Sequence, residues 1–231
     1  MGMPGLWYRK TMMEIPRLWL LLCLLVIAPV VQASEPVLLV LGDSLSSGHG
    51  IDREQGWVSL LQKRLEEGGY RYKVVNASIS GDTTLQGLRR LPQLLQRYQP
   101  AILIIELGGN DGLRGIPVTQ IRENIADMLK RAQQQSARVL LLGMRLPPNY
   151  GPAYTRAFEQ LYAELARQFD TAFVPFFLQG VEGLEWMQSD GIHPRAEAQA
   201  RLLENVWAGL HAILPDPLAR TVRPARTKPA P

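Results

Sequence analysis

Three histidines occur in the 231 residues, and one of them has a carboxylate at a spacing that could do chemistry. His193 follows Asp190 by three positions in Ser189-Asp190-Gly191-Ile192-His193-Pro194, with Gly191 to let the chain turn. A carboxylate there can accept from Nδ1 of the imidazole and leave Nε2 to take a proton from a hydroxyl. Histidine suits that work because its ordinary pKa is about 6.5. A serine hydroxyl is a poor nucleophile until such a base removes its proton. The candidate hydroxyl lies in Gly42-Asp43-Ser44-Leu45-Ser46. His49 is close to Ser44 in the chain but lacks a neighbouring carboxylate, and His211 reads as a surface residue beside the apolar stripe of the last helical segment. Thiol chemistry is excluded from a chain that begins after an exported leader, because the single cysteine, Cys23, sits in an N-terminal apolar run. No His, Asp or Glu cluster has metal-ligand spacing. No cofactor motif occurs either; the glycine-rich segment after the first strand lacks the lysine of a P-loop.

The elements that must position these residues alternate along the chain. Short, nearly continuous apolar runs at Val37–Leu41, Tyr72–Val75, Ala101–Leu107, Arg138–Leu142 and Thr171–Val174 predict strands covered on both faces. Helix-period stretches lie between them. Trp57, Leu60, Leu61 and Leu65 share one face, as do Ile121, Ile125, Met128 and Leu129. Tyr154–Phe169 and Ala196–Leu214 are helical too; Leu202, Leu203, Val206, Trp207 and Leu210 form the buried stripe of the latter. Such alternation implies a parallel sheet with helices on both sides. Sites in open parallel sheets form beyond the carboxyl ends of the strands. The first strand runs into Gly42-Asp43-Ser44, the second into Ser78-Ile79-Ser80-Gly81-Asp82, and the third into Gly108-Gly109-Asn110-Asp111. With Asp190-x-x-His193, four polar segments are expected at one edge of the sheet. Position 46 is serine, so the Gly-x-Ser-x-Gly elbow of the usual α/β-hydrolases is not met.

These four blocks, in this order, resemble those of the SGNH (GDSL) hydrolases, over about Val37 to Leu214. Three further stretches are similar to the bacterial acyl-CoA thioesterase I / lysophospholipase L1 / arylesterase subfamily: Asn76 to Thr83, Glu106 to Gly115, and Leu146-Pro147-Pro148-Asn149-Tyr150-Gly151. The resemblance implies a flavodoxin-like three-layer α/β/α sandwich around a five-stranded parallel sheet. It implies Ser44 as nucleophile with Asp190 and His193 completing the triad. It implies an oxyanion hole from the Ser44 and Gly81 backbone N–H groups and the Asn110 side-chain amide. The loops around Leu113 and Ile116, and around Pro147 and Tyr150, are then expected to contact the acyl group. Broad hydrolysis of lysophospholipids, aryl esters and fatty acyl thioesters is implied, without a cofactor or metal. Asp43 is expected to shape the first turn, Asp82 and Asp111 to orient loops, and Glu106 to be a buried hydrogen-bonding partner. A rival enzyme reading, an O-acetyl-carbohydrate esterase, sits less well with the long apolar residues of the two loops. A rival binding module, holding an anion at the first turn, leaves Asn110 and Asp190-x-x-His193 unexplained.

Residues 1–33 read as a cleavable export signal. Arg9, Lys10 and Arg17 precede an apolar run from Leu18 to Val31, and Val31-Gln32-Ala33 fits cleavage before Ser34. The run is about 14 residues, against about 20 for a spanning helix. Translation from Met12 or Met13 would shorten the leader. Leu20-Leu21-Leu22 lacks the small residue a lipoprotein signal places before its cysteine, so Cys23 is not a lipid anchor. A hydrolase domain over 34–214 and a disordered, basic tail over 215–231 are expected. The net charge of +4 is concentrated at the two ends, where Arg220, Arg223, Arg226 and Lys228 supply the tail's share, so a nucleic-acid face is not indicated. A periplasmic or secreted monomer acting on small acyl esters or lipids, with no stable membrane insertion after cleavage, is the expectation.

Overall fold

The computed structural model describes residues 1–2 and 35–215. Most of the expected leader and nearly all of the expected tail lie outside the described residues. From Val37 the chain forms five parallel strands: β1 (Val37–Gly42), β2 (Lys73–Asn76), β3 (Ile102–Glu106), β4 (Arg138–Leu142) and β5 (Ala172–Val174). Their order in the sheet is β2-β1-β3-β4-β5. β1 and β3 sit centrally and pair directly, with Leu38 opposite Ile102 and Gly42 opposite Glu106. Every residue of β3 is buried, and so is β1 after Val37. That is why both read as unbroken apolar runs. β2 lies at one edge and is only half-buried, which lets it carry Lys73 and Asn76.

Helices cover both faces. α2 (Trp57–Glu67) packs against the last helix, α7 (Gln199–Leu210). The other layer is built from α3 (Thr84–Tyr98), α5 (Val118–Gln134) and α6 (Pro152–Gln168), with α5 touching both neighbours. α1 (Ser44–Ser47) and α4 (Gly109–Leu113) are single turns at the ends of β1 and β3. Trp57, Leu61 and Leu65 of α2 are fully buried, as are Ile121, Ile125, Met128 and Leu129 of α5. Burying each such side chain stabilises the fold by roughly 1.5–3 kcal/mol relative to leaving it exposed.

The last helix differs slightly from expectation. It is flanked by 3₁₀ turns at Ala196–Ala198 and His211–Ile213, and Trp207 is only half-buried. Trp207 packs under the Arg64 guanidinium, 4.3 Å from the ring centre, and against Tyr70. It therefore joins α7 to α2 at the surface. α3 is a helix beyond those expected. Its start is fixed by a capping box: the Thr83 Oγ1 accepts from the Gln86 N–H and the Gln86 side chain accepts from the Thr83 N–H. Among the described residues no helix is long and apolar enough to cross a membrane.

Candidate active site

The polar segments meet at the carboxyl edge of the sheet. β1 delivers Ser44 as the first residue of α1. Asp43 caps that turn, its Oδ1 accepting from the Leu45 N–H at 3.1 Å. At the far end of the chain, the turn before α7 is closed by Asp190, whose Oδ1 accepts from the N–H groups of Ile192 (2.9 Å) and His193 (3.0 Å). Its Oδ2 lies 2.7 Å from His193 Nδ1. His193 Nε2 lies 2.9 Å from Ser44 Oγ. Carboxylate, imidazole and hydroxyl thus form one continuous chain of hydrogen bonds. The backbone N–H of His193, then its ring, then the Ile192 N–H hold the Asp190 carboxyl below the ordinary aspartate range.

Asn110 stands on α4, beyond β3. Its Nδ2 donates to Asp43 Oδ2 at 3.0 Å and to the Asp82 carbonyl at 3.1 Å. Both amide hydrogens are therefore engaged by the protein. Gly81 adopts φ +83°, a left-handed conformation that favours glycine. Arg114 Nη2 donates to the Gly81 carbonyl at 3.2 Å, which ties the 112–117 loop to this segment. That loop also meets the second expected acyl loop. Tyr150 Oη donates to the Leu113 carbonyl (3.1 Å) and Tyr154 Oη to the Ile116 carbonyl (2.6 Å). Leu113, Ile116 and Tyr150 are half-buried, and Pro147 is exposed.

The remaining acids are structural partners in this arrangement. Asp82 pairs with Arg90, its Oδ2 accepting from Nε at 3.0 Å. Asp111 accepts from the Thr84 hydroxyl (2.6 Å) and N–H (2.8 Å), which fastens α4 to the start of α3. Glu106, the last residue of β3, is fully buried. Its Oε2 accepts from Ser46 Oγ (2.6 Å) and from the Asp43 N–H (3.3 Å), while its Oε1 has no partner among the described residues. Burial, and then the Asp43 charge, raises its carboxyl well above the ordinary glutamate value. Burial also lifts Asp43, to about 6, against the hydrogen bonds from Leu45 and Asn110 that pull it down.

Two residues close to Ser44 in the chain make contacts that residue spacing does not show. Asp43 does more than cap α1, because its second oxygen holds Asn110. His49 packs its ring against that of His193, with centroids 4.4 Å apart. An acid in an otherwise apolar strand is a sequence signal for Glu106; His49 stands near Ser44 in the chain, but nothing local marks its contact with His193.

A five-stranded parallel sheet in this order, carrying these four blocks at its carboxyl edge, defines a hydrolase of the SGNH type. The family model of the GDSL-like lipase/acylhydrolase family matches residues 40–201, and the chain belongs to that family. Esterase TesA of Pseudomonas aeruginosa is 56% identical over 193 residues, covering 83% of this chain and 96% of the relative. Thioesterase 1/protease 1/lysophospholipase L1 of Escherichia coli is 45% identical over 168 residues, covering 72% of this chain and 79% of the relative. A crystal structure of TesA superposes with a TM-score of 0.75 at 58% identity, covering 77% of this chain and 99% of that one.

Proposed function

We propose that the protein is an exported serine hydrolase that cleaves acyl esters and thioesters through an acyl-Ser44 intermediate. The observation that carries this reading is the Asp190–His193–Ser44 chain, with contacts of 2.7 and 2.9 Å. With Asp190 accepting from Nδ1–H, Nε2 presents its lone pair to the Ser44 hydroxyl. His193 takes the proton as Oγ attacks the acyl carbon, then returns it to the leaving alcohol or thiol. Water, activated by the same imidazole, attacks the acyl-serine and releases the acid. Asp190 stabilises the imidazolium and keeps its tautomer without itself taking the proton.

The developing oxyanion is assigned to the N–H groups of Ser44 and Gly81 and the amide of Asn110. Because both hydrogens of that amide are already engaged, donation to substrate requires Asn110 to give up one of its two contacts. The loops carrying Leu113, Ile116, Pro147 and Tyr150 are assigned to the acyl chain. Fatty acyl thioesters, lysophospholipids and aryl esters are the substrate classes; the names of the relatives support esterase and thioesterase chemistry.

A fluorophosphonate probe should label Ser44 alone, and Ser44→Ala should abolish labelling. No labelling of the native chain would sink the serine mechanism. Hydrolysis of oxygen and sulfur esters from acetyl to palmitoyl should favour chains longer than acetyl, whereas strict acetyl preference would favour the carbohydrate-esterase reading. Export rests on the tripartite pattern of residues 1–33. The mature N-terminus should be Ser34; recovery of the intact leader in washed membranes would make it an anchor.

A further inference from the structure

His193 and Ser44 lie 149 positions apart in the chain, so their contact depends on how two separate turns sit against each other. The bond from Asp190 is local to its own turn. It orients the imidazole within residues 190–193 but does nothing to hold that turn against the nucleophile. We propose that Gln188 is a positioning residue that straps the His193 turn to the Ser44 turn; the proposal rests on the reading of His193 as the base.

Four hydrogen bonds place Gln188 at this seam. Its backbone N–H donates to the His193 carbonyl at 2.8 Å, and its carbonyl accepts from the Gly191 N–H at 3.0 Å. Those two bonds close the turn that carries Asp190 and His193. Its side-chain Nε2 donates to the Pro194 carbonyl at 3.2 Å and, across the seam, to the His49 carbonyl at 2.8 Å. The His49 N–H in turn donates to the Ser44 carbonyl at 3.2 Å. From Gln188 the nucleophile is therefore two hydrogen bonds away. The His49 ring, on the same strap, lies beside the His193 ring, tilted by 44° with the centroids 4.4 Å apart. Gly50 is shaped to the amide: it adopts φ +73°, and a Cβ there would fall 2.1 Å from Gln188 Oε1. Both hydrogens of the Gln188 amide are used by backbone carbonyls, so Nε2 acts on the frame of the site and not on substrate. The base of the turn is anchored, with Met187 and Pro194 buried and bridged to each other. Its tip is not: Ser189, Asp190, Gly191 and Ile192 are all exposed, so apolar packing does not fix the tip against the Ser44 turn.

Two variants break the strap from opposite sides. Gln188→Leu removes the donor, and Gly50→Ala drives the amide from its place. Each is expected to lower kcat and the rate of fluorophosphonate labelling by about 10- to 100-fold, the scale of a misplacement near 1 Å, with KM changed less than about two-fold. The low-field proton resonance of His193 Nδ1–H should persist, because the Asp190 bond is local. Loss of that resonance together with activity would mean that Gln188 merely shapes the turn and would overturn the proposal; so would unchanged kcat. Should Gln188→Leu fail to fold, Gln188→Met, which keeps the side chain's length but lacks the donor, decides by the same readouts, because Gly50→Ala also strains a backbone held at φ +73°. Absence of Ser44 labelling in the native chain is a different failure, of the serine-hydrolase reading, and would remove the strap with it.

Discussion

Asn110 has one amide and three claims on it: Asp43, Asp82 and, in the proposed reaction, the oxyanion. Its contact with Asp43 is charge-assisted once that carboxyl ionises, and such bonds are roughly twice as strong as neutral ones. The bond to the neutral Asp82 carbonyl is therefore the one more readily traded for substrate. Losing one oxyanion donor typically costs about 100- to 1000-fold in turnover. Asn110→Ala should lower kcat by that order with KM little changed, since ground-state binding is assigned to the acyl loops. Asn110→Asp should be worse, because it sets a carboxylate against both the oxyanion and Asp43. Steady-state kinetics on one thioester and one aryl ester would check this; a rise in KM at constant kcat would make Asn110 a binding residue. At this scale much of the site was legible. Ser44, Asn110, Asp190 and His193 each stand in a short motif. The partners of Asp43 and Glu106 were not, because they lie 67 and 60 positions away, and only the pairing of β1 with β3 brings them together.

The elements were legible where burial is two-sided or a stripe is regular. β1 and β3 are fully covered and read as apolar runs, and α5 repeats its apolar residues without interruption. α3 was hidden by its own interior. Gly87 and Pro92 both disfavour a helix, yet tertiary packing overrides them: a Cβ on Gly87 would lie 2.3 Å from Leu107 Cδ1, so this helix runs close against the sheet. What starts α3 is the Thr83–Gln86 capping box, placed directly after the Gly81-Asp82 segment. Thr83→Ala should therefore destabilise the fold by about 1 kcal/mol, and Thr83→Ser should recover most of it. Urea unfolding reads both. A loss below about 0.3 kcal/mol would show that packing alone fixes the start of the helix.

For the whole molecule, buried carboxyls at the sheet edge set how stability depends on pH. A carboxyl whose folded pKa lies above its unfolded value holds a proton that the unfolded chain releases. Its stabilising contribution is complete below the unfolded pKa and is lost as pH rises through the folded one. Asp43 moves from an ordinary value near 3.8 to about 6. That shift alone makes ionised Asp43 cost about 3 kcal/mol at neutral pH, of which roughly 1–2 kcal/mol is recovered on going down to pH 5. Glu106 and Asp111 are raised too, and act in the same direction. Asp190 is shifted the other way, but its contribution is lost only below its ordinary value, outside this window. The urea midpoint should accordingly be higher at pH 5 than at pH 7.5. Glu106→Gln keeps an oxygen for Ser46 and the Asp43 N–H while removing one titrating group, so it should flatten the slope without abolishing it. Activity should run oppositely. Asn110 gains an anionic acceptor as Asp43 ionises above about 6, and a histidine base works only when neutral. Turnover rising with pH while stability falls would mark these acids as held in the edge for function. A urea midpoint that climbs from pH 5 to 7.5 would contradict the raised carboxyls, and an unaltered slope in Glu106→Gln would remove Glu106 from the account.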